Sequence, residues 1–104
     1  MISRQWRGLA RPERAQDYVR HLRTETLPQL RRIAGFVDAS ILTRELAAGV
    51  EFLVVTRWES LEAIRDFAGL DSETAVVPEE VQRMMLECDR RVRHYQVVEQ
   101  EIGL

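Results

Sequence analysis

The apolar positions of this chain fall into two rhythms that alternate along its length. Residues 2–9 carry Ile2, Trp6 and Leu9 at strand-like positions, and Gly8-Leu9-Ala10-Arg11-Pro12 closes the run. Pro12 suits a first helical position, where a missing N–H costs nothing. Ala15, Tyr18, Val19, Leu22 and Thr26 then share one helical face, with Arg14, Asp17, Arg20 and Arg23 mainly opposite. Pro28 is expected to break or kink this helix, Leu27, Leu30 and Ile33 to add about a turn, and Gly35 to close it. A second strand is expected over residues 36–45, a turn over 45–50, and a third strand from Glu51 to Trp58.

The third strand is apolar on both sides: Phe52, Val54 and Trp58 share one face, Leu53 and Val55 the other. Such a strand is covered on both faces. Ser60 is a fitting N-cap for a second helix carrying Leu61, Ile64, Phe67 and Ala68, and Gly69 fits its end. After an irregular stretch from Leu70 to Val77, Pro78 opens a short helix with Val81, Met84 and Met85 at i, i+3 and i+4. A last strand is expected from Arg91 to Glu99, with Val92, His94, Gln96 and Val98 alternating against Arg93, Tyr95 and Val97.

The order strand, helix, strand, hairpin, strand, helix, strand predicts an α+β fold of the ferredoxin-like βαββαβ type. The handedness of crossover connections brings the third strand between the first two, in a four-stranded antiparallel sheet. Both long helices lie on one face, and no element remains for the other. Trp6 and Trp58 then need somewhere to be buried, and a soluble monomer seldom exposes a large apolar sheet face. The expectation is a homodimer packed through the open sheet faces, with residues 1–100 as one domain and 101–104 as a tail.

Composition changes this picture little. The chain has 104 residues, 45% hydrophobic and 31% charged, with a formal net charge of −2. All 15 basic residues are arginine, spread along the chain and flanked by acids, which argues against the net basic face that nucleic acid requires. No apolar run reaches the length of a membrane helix and no leader pattern opens the chain, so a cytoplasmic protein is expected. The single cysteine, Cys88, permits no internal disulfide and reads as a small buried hydrophobe.

The run Val54-Val55-Thr56-Arg57-Trp58-Glu59-Ser60-Leu61-Glu62-Ala63-Ile64-Arg65-Asp66-Phe67-Ala68-Gly69 is similar to the strand–Trp–helix segment of the antibiotic biosynthesis monooxygenase family, whose members are dimeric α+β barrels. The opening Ile2-Ser3-Arg4-Gln5-Trp6-Arg7-Gly8, the stretch Ala75-Val76-Val77-Pro78 and the closing Val92-Arg93-His94-Tyr95-Gln96-Val97-Val98 resemble it too. The resemblance implies the same fold and a pocket in each subunit between sheet and helices. It also implies oxidation of a small phenolic or quinol compound by O2 with no metal, flavin or other cofactor. Members of the haem-degrading branch carry a second Trp nine residues after the one matched by Trp58, and a His ten residues beyond that. Those positions hold Phe67 and Val77 here, and the chain has no Asn, so haem degradation is not expected.

The residues themselves offer modest chemistry. A metal site needs three or four converging ligands, and the two histidines, His21 and His94, have no ligand-type companions in sequence. His94, mid-strand, is the candidate catalytic base for removing a phenolic proton. Arg4 beside Trp6 could hold an anionic oxygen, and Phe67, Met84 and Met85 could line a pocket for a small aromatic ligand. His21 reads as a surface residue between Arg20 and Leu22, and Tyr95 as pointing away from His94. The competing reading is a non-catalytic homodimer that binds a small molecule through the same fold.

Overall fold

The structure, a computed structural model, describes residues 1–103. Strand β1 (Ile2–Ala10) is the organising element: it pairs antiparallel with β3 (Val50–Trp58) on one side and with both β4 (Met85–Cys88) and β5 (Arg93–Gln96) on the other. Strand β2 (Phe36–Glu45) flanks β3, giving the order β2-β3-β1 and then β4 and β5 sharing the last edge. The α+β ferredoxin-like expectation therefore holds, and β3 does insert between β1 and β2.

The last edge differs from expectation. Instead of one strand over 91–99, two short segments divide the β1 edge, with an excursion between them. Gly8 to Ala10 pairs with β4, Ile2 to Gln5 pairs with β5, and Asp89 anchors the junction. Its backbone N–H donates to the Arg7 carbonyl at 2.9 Å, its carboxylate accepts from the Arg7 N–H at 2.9 Å, and its carbonyl accepts from Trp6 Nε1 at 2.9 Å. Residues 90–92 then loop out to pair with the preceding connection, where Val92 N–H reaches the Glu73 carbonyl at 2.8 Å.

The first helical run starts at Pro12 with a single 3-10 turn and continues as α1 (Ala15–His21). Pro28 neither breaks nor ends it. A wide π-helical turn over Leu22–Thr26 precedes α2 (Leu27–Arg31), with the Leu27 N–H donating to the Leu22 carbonyl five residues back. Widening the turn ahead of a proline accommodates its ring and missing donor while the rod continues. Gly35, at φ 94°, ends the segment, and a Cβ there would meet Ala63 Cβ at 2.7 Å. Ser60 caps α3 (Leu61–Ala68) as expected, its hydroxyl accepting from Ala63 N–H at 3.1 Å. Helix α4 (Glu79–Met84) stops before Met85, which is already strand.

The buried residues form two clusters under the helices. One gathers Trp6, Tyr18, Leu22, Phe52, Val81, Met84, Met85 and Val92; the other gathers Leu30, Trp58, Ala63 and Ile64. Trp58 is wholly buried between Phe36 and Phe67, with Nε1 donating to Thr56 Oγ1 at 2.8 Å. Both tryptophans are thus buried by the chain's own helices, so neither needs the open face. On that face the ladder places Leu42 opposite Leu53, with Val55 next along β3. Arg44–Glu51–Arg7 and Arg57–Asp38 ion pairs lie to either side.

Candidate functional site

A cavity lies at the seam between the two core clusters. Its volume is about 70 Å3. Its floor is sheet: Arg4 and Trp6 from β1, Val54 and Thr56 from β3. Its roof is the first helical run, through Tyr18, His21, Leu22, Thr26 and Leu30. Phe67, Val76, Pro78, Val81 and Val92 close the sides. The π-helical turn matters here, because it follows His21 directly and contributes both Leu22 and Thr26 to the wall.

Beyond His21, Thr26, Phe67, Val76 and Pro78 a second chamber opens, lined additionally by Glu25, Gln29 and Glu80. The shared residues make a neck between an apolar inner space and an acidic outer one. Trp6 packs close over β1: a Cβ on Gly8 would come within 2.4 Å of its ring, so glycine at position 8 leaves room for the indole that forms the floor.

Arg4 is the chemically conspicuous residue. It is only 5% exposed. Nη2 donates to the Thr74 carbonyl at 2.8 Å, Nη1 donates to the Ser72 carbonyl and to His94 Nε2 at 3.1 Å, and the guanidinium carbon sits 5.8 Å from the Phe67 ring centre. These partners are neutral, and among the described residues no carboxylate lies within ion-pair distance of Arg4. Burial lowers its pKa to about 10, so it remains charged at neutral pH. A buried cation with no counter-ion is costly unless a charge is brought to it.

His94 faces Arg4 across the β1–β5 ladder and does not line the cavity. A guanidinium can only donate, so Nε2 of His94 is the acceptor and the ring is neutral with its proton on Nδ1. Burial, then the neighbouring Arg4 charge, holds its pKa below the ordinary histidine value. The nitrogen with which it would take a proton is thus already engaged. Tyr95 points to the open face, as expected, opposite Ser3.

Of the remaining candidates, Trp6 and Phe67 join Arg4 at the cavity. Met84 and Met85 do not: both are buried in the first core cluster, and Met85 borders a separate, more polar cleft of about 540 Å3 lined by Gln82, Glu87, Cys88, Asp89 and Arg90. Met85 misses the cavity because it begins β4 instead of ending a helix.

His21 corrects the sequence reading. Its side chain is 9% exposed, stacks on Tyr18 with ring centres 6.3 Å apart, and lies on the neck of the cavity. Nδ1 is 3.6 Å from Glu80 Oε1, contributed by α4. The missed signal was its position three residues after buried Tyr18, on the edge of the same helical face.

A family model described as antibiotic biosynthesis monooxygenase matches residues 1–79. Among solved structures, one of a putative antibiotic biosynthesis monooxygenase from Bacillus cereus superposes with a TM-score of 0.70 at 19% identity, covering 100% of this chain and 97% of that one. A monooxygenase from Streptomyces coelicolor in complex with the ligand Nanaomycin D superposes with a TM-score of 0.63 at 16% identity, over 99% and 90% of the two chains. A variant of MhuD with two manganese protoporphyrin IX molecules per active site gives 0.61 at 18% identity, over 97% and 99%. Likeness at these identities is a likeness of fold. A search of the curated proteins finds no match.

Proposed function

Because the chain belongs to the antibiotic biosynthesis monooxygenase family, we propose that it oxidises a small phenolic or quinol compound with O2 and without metal or flavin, as a homodimer. The observation that carries the reading is Arg4: a buried, charged guanidinium without a carboxylate partner among the described residues, at the floor of a cavity walled by Trp6, Tyr18 and Phe67. A phenolate oxygen placed against it supplies the missing charge, and the aromatic walls hold the ring.

In an anthrone-type substrate, deprotonation gives an electron-rich anion that O2 oxidises directly. Two C–H bonds at the ring methylene break and a C=O bond forms with one oxygen atom of O2. The other oxygen atom leaves as water with the two hydrogens. Carbon loses four electrons and O2 accepts four, so no further reductant is required. Arg4 stabilises the anion on which this depends, a use of preorganised charge in a site walled mainly by apolar side chains. His94 keeps the guanidinium aimed, in place of the direct proton removal expected from sequence. Phe67 and Val77, at the positions where the haem-degrading branch carries Trp and His, weigh against haem as the substrate.

The dimer reading rests on the open sheet face, where Leu42, Leu53 and Val55 form an apolar strip between ion pairs. The deciding experiment is oxygen uptake by metal-stripped protein against a panel of hydroquinones and anthrone-type phenols. Uptake proportional to protein and lost in Arg4→Met supports the reading. No uptake across the panel, with phenols still bound, favours a binding protein of the same fold.

A further inference from the structure

Resting on that reading of the cavity as a phenol site, we infer that His21, on the neck, is the base that accepts the phenolic proton, with Glu80 as its charge partner. The argument is one of availability. Of the two histidines near the site, His94 spends its acceptor nitrogen on Arg4 and has no surface on the cavity. His21 lines both the inner chamber and the outer one. Glu80 Oε1 lies 3.6 Å from its Nδ1, which is beyond a hydrogen bond. No buried side-chain polar atom among the described residues lacks a partner, so the ring nitrogens of this nearly buried histidine, which make no hydrogen bond, keep accessible surface in a residue that lines both chambers.

The groups around His21 have opposite signs at opposite ends. Arg4 lies at the inner floor; Glu80 from α4 and Glu25 from the π-helical turn lie in the outer chamber; neutral Tyr18 stacks on the ring face. A phenol in the inner chamber gives its proton to His21 Nε2: the O–H bond breaks, the N–H bond forms, and the O–H electron pair stays on oxygen. The product phenolate faces Arg4 and the product imidazolium faces Glu80. Each new charge appears beside its opposite, so the transfer is favoured by charges the fold already holds in place. Glu80 lies on the Nδ1 side of the ring, so Nε2 is the nitrogen left for the ligand.

The experiment uses 4-cyanophenol, whose nitrile stretch in the infrared distinguishes phenol from phenolate, at pH values below the pKa of the free phenol. Calorimetry in two buffers of different ionisation enthalpy counts the protons released on binding. For the wild-type protein the bound probe is phenolate and no net proton leaves, because His21 retains it; the Kd changes little with pH. In His21→Gln the same phenolate releases one proton to the buffer, and Kd tightens about tenfold per pH unit. Glu80→Gln, at an exposed position, keeps the proton on the protein but binds severalfold more weakly. His94→Gln, which frees the guanidinium it aims, binds the probe more weakly but releases no proton to the buffer. Equal proton counts in wild type and His21→Gln, a changed count in His94→Gln, or a neutral bound phenol would each overturn the inference while leaving ligand binding intact. Absence of any binding by the wild-type protein would sink the phenol-site reading as well.

Discussion

Arg4 Nη1 lies 3.1 Å from His94 Nε2, joining two residues that face each other across the β1–β5 ladder. The pair ties the protonation of one residue to the orientation of the other. Protonating His94 turns its accepting nitrogen into a donor and sets two cations against each other.

This has a consequence for stability against pH. The folded-state pKa of His94 lies below its unfolded value of about 6.5. Between the two values the unfolded chain binds more protons, so stability rises with pH there. The stability is complete above the unfolded pKa and is lost as pH falls from it toward the folded one. Urea unfolding at pH 7.5 and at pH 5.5 is expected to show a lower midpoint at the acid value. His94→Gln is expected to reduce that difference. The carboxylates held down by arginines, among them Asp71 at about 2 beside Arg91, act in a lower window and do not mask it.

Replacing Arg4 separates function from stability. Arg4→Met removes a buried charge that no carboxylate among the described residues answers, and keeps most of the side-chain volume. The change leaves the Ser72 and Thr74 carbonyls without their donors, costing about 1–3 kcal/mol, offset in part by the desolvation it relieves. The expected result is a folded protein within about 2 kcal/mol of wild type by chemical denaturation, with phenol affinity reduced more than tenfold. A variant that binds phenols as well as wild type would remove Arg4 from the site.

Trp58 is the structural counterpart. It is wholly buried, and its indole fills the space between Phe36 and Phe67. Trp58→Ala is expected to cost about 3–5 kcal/mol, as large-to-small changes of aromatics do. Trp58→Phe should cost less, since it loses the Thr56 hydrogen bond and part of the volume but keeps the ring contacts. Equilibrium unfolding of both variants checks the order.

The open face gives a separate test. Leu53→Glu puts a carboxylate in the middle of the apolar strip while leaving the helix-covered side of β3 untouched. Sedimentation is expected to report a dimer for the wild-type protein and a monomer for the variant. A wild-type monomer at micromolar concentration would overturn the dimer reading.

Much of the fold was legible because its signals are local. Pro12, Gly35, the Ser60 cap and the alternation of β3 each act within a few residues, and together they fix the order of elements. The last edge was not legible, because Val81, Met84 and Met85 fit a helical spacing that Met85 leaves in order to pair with Ala10. The site was half legible. Arg4, Trp6 and Phe67 could be picked out by residue type, and the cavity does bring them together. That His94 is occupied by Arg4, and that His21 lies beside Glu80 from 59 positions further on, are long-range facts with no local trace.

The cavity draws its floor and its rim from parts of the chain that differ in rigidity. Arg4, Trp6, Val54 and Thr56 sit on adjacent strands locked by a continuous ladder from Ile2–Trp58 to Ala10–Val50. Val76 and Pro78 belong to a connection held by a few backbone bonds, among them Ala75 N–H to the Arg90 carbonyl at 2.9 Å. Substitutions at the rim can therefore alter the bore of the entrance while the guanidinium below stays in register. A scaffold divided in this way lets selection among ligands drift quickly, one loop residue at a time, without re-evolving the group that meets them.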